Sequence, residues 1–208
     1  MSLTLITAPA VEPVTLAQMK LQCGFGPFED SDQLREQTLA EQLRAAITAA
    51  RQHVENVLAR ALITQTWTYT LDHFPYENAK YQNHHGHDIV LPLPKFQALD
   101  AFTYIDSAGN VQDMMAPGSW GYQLVSGGDT TPAKLRPPLF RYWPPTEYTA
   151  CDTVVITFTS GYGATGASVP TAILSAIKIA AQHIFENRPG SFPTMVDMLL
   201  APYTNLIA

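Results

Sequence analysis

Across Ala61-Leu62-Ile63-Thr64-Gln65-Thr66-Trp67 the chain changes its hydrophobic period, and that change constrains the fold more than any other stretch. Upstream, Leu39, Leu43, Ala46, Ile47, Ala50, Val54, Val57 and Leu58 recur at helical spacing and define one apolar face. Downstream, Ile63, Trp67, Tyr69 and Leu71 alternate with Thr64, Thr66, Thr68 and Thr70, as in a strand buried on one side. A long helix therefore feeds directly into a strand, with no linker between them.

The remaining elements follow from the same signals. After an extended start broken by Pro9 and Pro13, Thr15 caps a short helix from Leu16 to about Gln22, which Gly24 and Gly26 end. The long helix is predicted over about 32–60; Thr38-Leu39-Ala40-Glu41 has capping-box spacing, and Glu41, Arg44, Thr48, Arg51, Gln52 and Glu55 form its outer face. Short alternating runs separated by Pro and Gly predict strands near 62–72, 88–92, 98–106, 111–115, 120–126, 133–136 and 152–159, with a hairpin loop at Asp106–Asn110. Pro170 then opens a helix that Arg188-Pro189-Gly190 stops, and Thr194 caps a last short helix before Pro202.

The predicted class is α+β. A helical core drawn from both chain ends (1–61 and 161–208) carries an inserted antiparallel β lobe over about 62–160, and the whole forms one co-folded domain. Helices flanking an insertion must pack together to bury their apolar faces, so the strand start at Leu62 and the strand end at Ser160 are expected side by side.

Composition bounds what such a chain does. The apolar fraction of 46% suits a globular core, whereas charged residues make up only 14%, well below the usual share of about a quarter. Thr, Gln, Ser, Tyr and Pro must cover much of the surface, which neighbours can bury at low desolvation cost. A formal net charge of −6 with no basic run argues against nucleic-acid binding, which draws on Lys and Arg replacing counterions. Cys23 and Cys151 lie far apart without metal or redox spacing, and free thiols in a reducing cytosol are expected. No signal peptide is evident, and no apolar run approaches the ~20 residues that span a bilayer.

Three constellations bear on chemistry or contact. His84-His85-Gly86-His87-Asp88 offers metal-ligand side chains, of which His84, His85 and His87 are the candidates, but the tract sits in a polar loop without the rigid second shell that a catalytic metal needs. Gly161-Tyr162-Gly163-Ala164-Thr165-Gly166 follows a strand and precedes a helix, yet it lacks the Lys-Ser/Thr of a phosphate-binding loop and reads as a crossover. Phe140-Arg141-Tyr142-Trp143-Pro144-Pro145 is a rigid aromatic loop in which Arg141, Tyr142 and Trp143 are expected either to close the β lobe or to meet a neighbouring subunit. No catalytic motif appears and no cofactor is expected. The apolar tail from Met195, left exposed, would form a patch that monomers seldom tolerate, so it is expected either to fold back on its own core or to dock on a neighbouring protein.

Several phrases follow one another in order along the chain: Met1-Ser2-Leu3-Thr4-Leu5-Ile6-Thr7-Ala8-Pro9, Val14-Thr15-Leu16-Ala17, Leu62-Ile63-Thr64-Gln65-Thr66-Trp67, Ile89-Val90-Leu91-Pro92, Thr157-Phe158-Thr159-Ser160-Gly161-Tyr162-Gly163, Val169-Pro170, Glu186-Asn187-Arg188 and Leu199-Leu200-Ala201-Pro202-Tyr203. As an ordered set they resemble the head-to-tail connector (adaptor) proteins of tailed phages, also carried by prophages and gene transfer agents. The segments Phe25–Thr38 and Tyr76–Asp88 are longer than that pattern. The resemblance implies a structural virion protein, assembled in the host cytoplasm and then placed in the virion neck between head and tail. It implies a dodecameric ring beneath the portal protein, a far face for a stopper or tail-completion protein, and DNA passing through an acidic lumen without specific binding. It also implies that the C-terminal segment reaches the portal, with Leu199, Leu200, Pro202, Tyr203, Leu206 and Ile207 as docking candidates. The alternatives are the stopper itself or, from another class, a small metal-dependent enzyme or carbohydrate-binding module.

Overall fold

An apolar stripe facing an alanine-rich one builds the helical unit. The computed structural model describes residues 1–25, 33–75, 87–147, 149–186 and 191–204, except for the side chains of Gln33 and Leu34. The chain divides into two compact units, one of Met1–Ala8 with Gln65–Gly161, the other of Pro9–Thr64 with the chain from Tyr162. In the second unit, α2 (Gln33–Leu58) buries Leu43, Ala46, Ile47, Ala50, Val54 and Leu58 against Ile173, Ala176, Ile177, Ala180 and Ala181 of α3 (Thr171–Phe185). The small residues on both faces let the helix axes approach closely. α1 (Leu16–Gln22) adds Met19, and α4 (Thr194–Leu200) adds Val196 and Leu200 to the same core.

Local chemistry sets the helix ends. Thr15 caps α1 as expected, its hydroxyl accepting from the Gln18 amide at 3.2 Å while the Gln18 side chain accepts from the Thr15 amide at 3.0 Å. Thr38 lies inside α2, which starts five residues earlier at Gln33. Thr194 is the first residue of α4 rather than its cap; Pro193 holds the cap position in extended backbone and offers no side-chain acceptor. Arg51, predicted on the outer face of α2, is buried: the extended segment before α1 crosses it, and Glu12 accepts from Arg51 Nε at 2.8 Å and from the Thr48 hydroxyl at 2.9 Å. Glu55 ties the far end, accepting from Arg51 Nη1 and from the Leu62 amide at 3.0 Å.

The β unit holds a five-stranded antiparallel sheet in the order β1-β2-β8-β4-β5, formed by Ser2–Thr7, Gln65–Leu71, Val154–Ser160, Phe96–Ile105 and Val111–Asp113. A second sheet orders β3 (Ile89–Val90), β7 (Lys134–Arg136) and β6 (Gln123–Val125). Strict alternation along β8 turns Val154, Ile156 and Phe158 inward and Val155, Thr157 and Thr159 outward. The outward threonines pair across strands, Thr66 with Thr159 at 3.3 Å and Thr68 with Thr157 at 3.2 Å, and the Thr159 hydroxyl donates to Asp100 at 2.6 Å, giving a hydroxyl-rich face. The inner face joins Ile89 and Leu135 of the small sheet in one core with Phe74, Phe102, Met114 and Trp143.

The α+β class and every predicted strand are present, most with shorter ends, whereas β4 begins two residues earlier and β8 ends one residue later than predicted. The first residues differ from expectation: Ser2–Thr7 pair with β2 (Ser2 opposite Thr70, Leu5 opposite Trp67) instead of joining the helical part. Their partner lies more than sixty residues away along the chain, and no local signal names it. Within the β unit Gln65 pairs with Ser160, and within the helical unit the Tyr162 amide donates to the Leu62 carbonyl at 3.0 Å.

Two carboxylates brace turns of the β unit. Asp106 accepts from the Ala108 and Asn110 amides, each at 2.9 Å, across the β4–β5 hairpin, where Gly109 takes φ +81. Asp72 is held below the usual carboxylate range, first by the Asp152 amide at 3.3 Å and next by the Met1 ammonium at 3.5 Å. A carboxyl whose folded pKa is depressed contributes stability that is complete above its unfolded value, about 3.9, and is lost as pH falls through the lower folded value. Melting temperatures taken below pH 4 should therefore fall more steeply for the wild type than for Asp72→Asn. Parallel curves would remove Asp72 from the acid response.

Candidate functional site

The histidine tract does not assemble a metal centre among the described residues. His84 and His85 lie outside them. His87 packs edge-on against Tyr142 at 5.3 Å, and its carbonyl accepts from the Trp143 indole at 2.6 Å. Asp88 is engaged by Arg136, whose Nε and Nη2 donate at 2.8 and 2.9 Å, a bidentate pair that leaves the carboxylate no free edge. No described group of three His, Cys, Asp or Glu residues is placed to hold a metal. Burial, with Glu186 nearby, pushes the Cys23 thiol up, away from a reactive thiolate. The Gly161–Gly166 stretch is a crossover, its 3-10 turn Gly166–Ser168 lying against Pro13.

The aromatic loop is split between core and surface. Trp143, one of the three expected contact residues, is only 4% exposed and stacks on Phe74 at 4.9 Å with its ring nearly parallel. It closes the β core and is unavailable to a neighbour. The core needed a large flat group above Phe74 and Phe102, and the sequence alone could not say which of three adjacent aromatic or cationic residues turned inward. Arg141 and Tyr142 stay outside: Tyr142 is 69% exposed, and the Arg141 guanidinium lies 5.8 Å from the ring centre of Trp120. Trp120 in turn donates its indole N–H to the Tyr142 carbonyl at 2.7 Å. At the loop tip Phe140 is fully exposed with φ +62, a left-handed backbone that a bulky side chain rarely adopts. Leu139 beside it is exposed as well.

The C-terminal segment divides in the same way. Leu200, a docking candidate, is buried with Val196 in the helical core, and Leu199 and Tyr203 are partly buried against it. Amphipathic spacing on α4 sends these residues inward, while Met195 and Met198 stay exposed on its opposite side. Pro202 is exposed in the 3-10 turn Ala201–Tyr203 that follows α4; Leu206 and Ile207 lie outside the described residues.

Arg60 is the residue that sequence reasoning missed. It follows α2 at a left-handed Ala59, is 1% exposed, donates from Nη1 to the Tyr162 hydroxyl at 2.5 Å, and donates from Nη2 to the Tyr203 carbonyl. A buried guanidinium thereby holds the turn from which the last residues depart. An arginine ending a helix normally signals only a solvated cap.

Comparison with protein-family models finds no match, and neither does comparison with curated proteins. Solved structures do match. A chain in the neck of an empty gene transfer agent particle, computed with C6 symmetry, aligns with a TM-score of 0.73 at 22% identity, covering 100% of this chain and 97% of that one. A chain in the virion of a native gene transfer agent particle gives 0.69 at 23% identity, and one in the neck of the native particle, computed with C12 symmetry, gives 0.68 at 22%, both with the same coverage. From end to end, this chain has the fold of chains found in the necks of gene transfer agent particles.

Proposed function

We propose that the protein is a structural connector of a virion or gene transfer agent neck, one of many copies in a ring through which DNA passes. The observation that carries this reading is the alignment of the whole chain, with almost no excess on either side, to neck chains. The ordered family phrases support it independently, as does a surface poor in charge that neighbours can cover. The activity is mechanical: the ring extends the DNA channel, and the formal net charge of −6 keeps phosphates from adhering.

Within the neck, the adaptor position directly beneath the portal is the reading that the tail favours. Docking falls to the end of the chain beyond Thr204, with Leu206 and Ile207 as its apolar anchors, because Leu200 already serves the core and Arg60 fixes the turn before it. Exposed Pro202 borders that departure point. The opposite face receives the stopper or tail-completion protein. Deleting residues 205–208 should leave the melting temperature within about 2 °C of the intact protein, because Leu200 and Tyr203 are kept. Binding to portal-bearing heads in a sedimentation assay should be lost. Retained binding refutes tail docking, and binding only to heads that already carry another connector makes this protein the stopper.

A further inference from the structure

Two exposed stripes of the β unit complement each other in charge, and both are flanked by apolar side chains. The first is the loop 139–142, held at one end by Trp143 in the core and braced by the Trp120 indole on the Tyr142 carbonyl. It projects Leu139, Phe140 and Tyr142 around the Arg141 cation, which has a ring beneath it and, among the described residues, no carboxylate in ion-pair contact. Prolines 137, 138, 144 and 145 stiffen both flanks, so little conformational freedom is left to lose on contact. Phe140 sits in a strained backbone while its side chain touches solvent alone, a conformation that gains nothing for the isolated fold.

The second stripe runs along β5, the open edge of the large sheet. Val111 and Asp113 lie on the face of β5 turned away from the core, Met115 follows in the turn after Asp113, and all three are exposed, whereas Met114 is buried. The Asp113 carboxylate accepts only from the Met115 amide at 2.8 Å and has no cation partner among the described residues. An aromatic-cation-aromatic strip thus exists in the same chain as an apolar-carboxylate-apolar strip. A chain of net charge −6 also makes its own copies a richer source of carboxylates than of cations. DNA would match one arginine but waste Leu139 and Phe140.

We propose that the 139–142 loop of one copy packs on β5 of a second copy, with Phe140 seated against Val111 and Met115 and Arg141 paired with Asp113. The assignment rests on the reading of the chain as a ring former and names one of its subunit contacts; unlike partner surfaces make that contact heterologous, as a ring requires. Aromatic side chains bury about 150–250 Å² each, whereas a stable interface needs about 800 Å² per partner. The loop is therefore an anchor within a larger contact, weak between free copies.

Photo-crosslinking suits such a contact. With p-benzoylphenylalanine at position 139 in the full chain at millimolar concentration, irradiation should give a homodimer whose crosslinked peptide contains β5. Arg141→Asp and Asp113→Arg should each lower the yield on the order of tenfold, and the two together should restore it. Phe140→Gly should lower the yield similarly while raising the melting temperature by about 2–4 °C, because glycine relieves the left-handed strain. A purely structural Phe140 would lower that temperature instead and overturn the proposal. So would failure of the double charge swap to rescue, absence of homodimer, or crosslinking to added duplex DNA in place of a second copy. Rings seen in assembled necks without this crosslink would spare the connector reading and sink only the contact.

Discussion

Replacing Trp143 with alanine should cost about 3–5 kcal/mol of stability, the range for emptying a buried aromatic site. Its ring stacks on Phe74 at 4.9 Å, meets Phe102 edge-on at 6.0 Å, and its N–H is satisfied by the His87 carbonyl. Truncation would open a cavity under a loop that cannot collapse, because prolines fix its path on both sides. Trp143→Phe keeps the stack and forfeits the hydrogen bond, so it should cost about 1–2 kcal/mol. Tyr142→Ala, one residue away, should fall within about 0.5 kcal/mol of wild type. Urea unfolding followed by near-ultraviolet circular dichroism measures all three. A Trp143→Ala loss below about 1 kcal/mol would mean that the core closes without the indole.

Gly166→Ala should be comparably damaging in the helical unit, at about 3 kcal/mol or more. A Cβ built there meets the Pro13 carbonyl oxygen at 2.0 Å and its carbon at 2.9 Å. Both are backbone atoms, so no rotamer change relieves the clash; either the 3-10 turn or the segment before α1 must move. Two glycines serve as internal comparisons. Gly163→Ala meets the Ser168 side chain, whose Oγ at 2.5 Å can rotate away but whose Cβ at 2.8 Å must shift by a few tenths of an ångström, and Gly109→Ala has open space but must hold φ +81. Each should cost about 1–2 kcal/mol. Thermal melts that rank Gly166→Ala no worse than these would show that the Pro13 contact yields easily.

Legibility tracked distance along the chain. The period change at Ala61–Trp67, the Thr15 cap and the Asp106–Asn110 hairpin are written in neighbouring residues and were readable, whereas the capping box was expected at Thr38 and is found at Thr15. The burial of Arg51 was not, since it depends on Glu12 crossing α2 from 39 residues away. Nor was the pairing of Ser2–Thr7 with β2, because an edge strand with every residue exposed shows no buried face to predict. The candidate contact surfaces were located only to the segment: sequence marked 140–145 as a rigid aromatic and proline cluster and the tail as strongly apolar, without separating Trp143 and Leu200, which face inward, from Phe140, Tyr142 and Pro202, which do not.

The sequence by itself determined the order and kind of the elements, the α+β class and the charge-poor surface, because hydrophobic period and turn chemistry act over a few residues. Tertiary structure alone decided which side chains of an apolar run are spent on the core and which remain for a partner. That choice depends on the shape of the space left by distant elements: the slot over Phe74 takes Trp143, and the guanidinium of Arg60 finds Tyr162 and the Tyr203 carbonyl from far along the chain. Local pattern carries no record of such a space until the whole chain has closed around it.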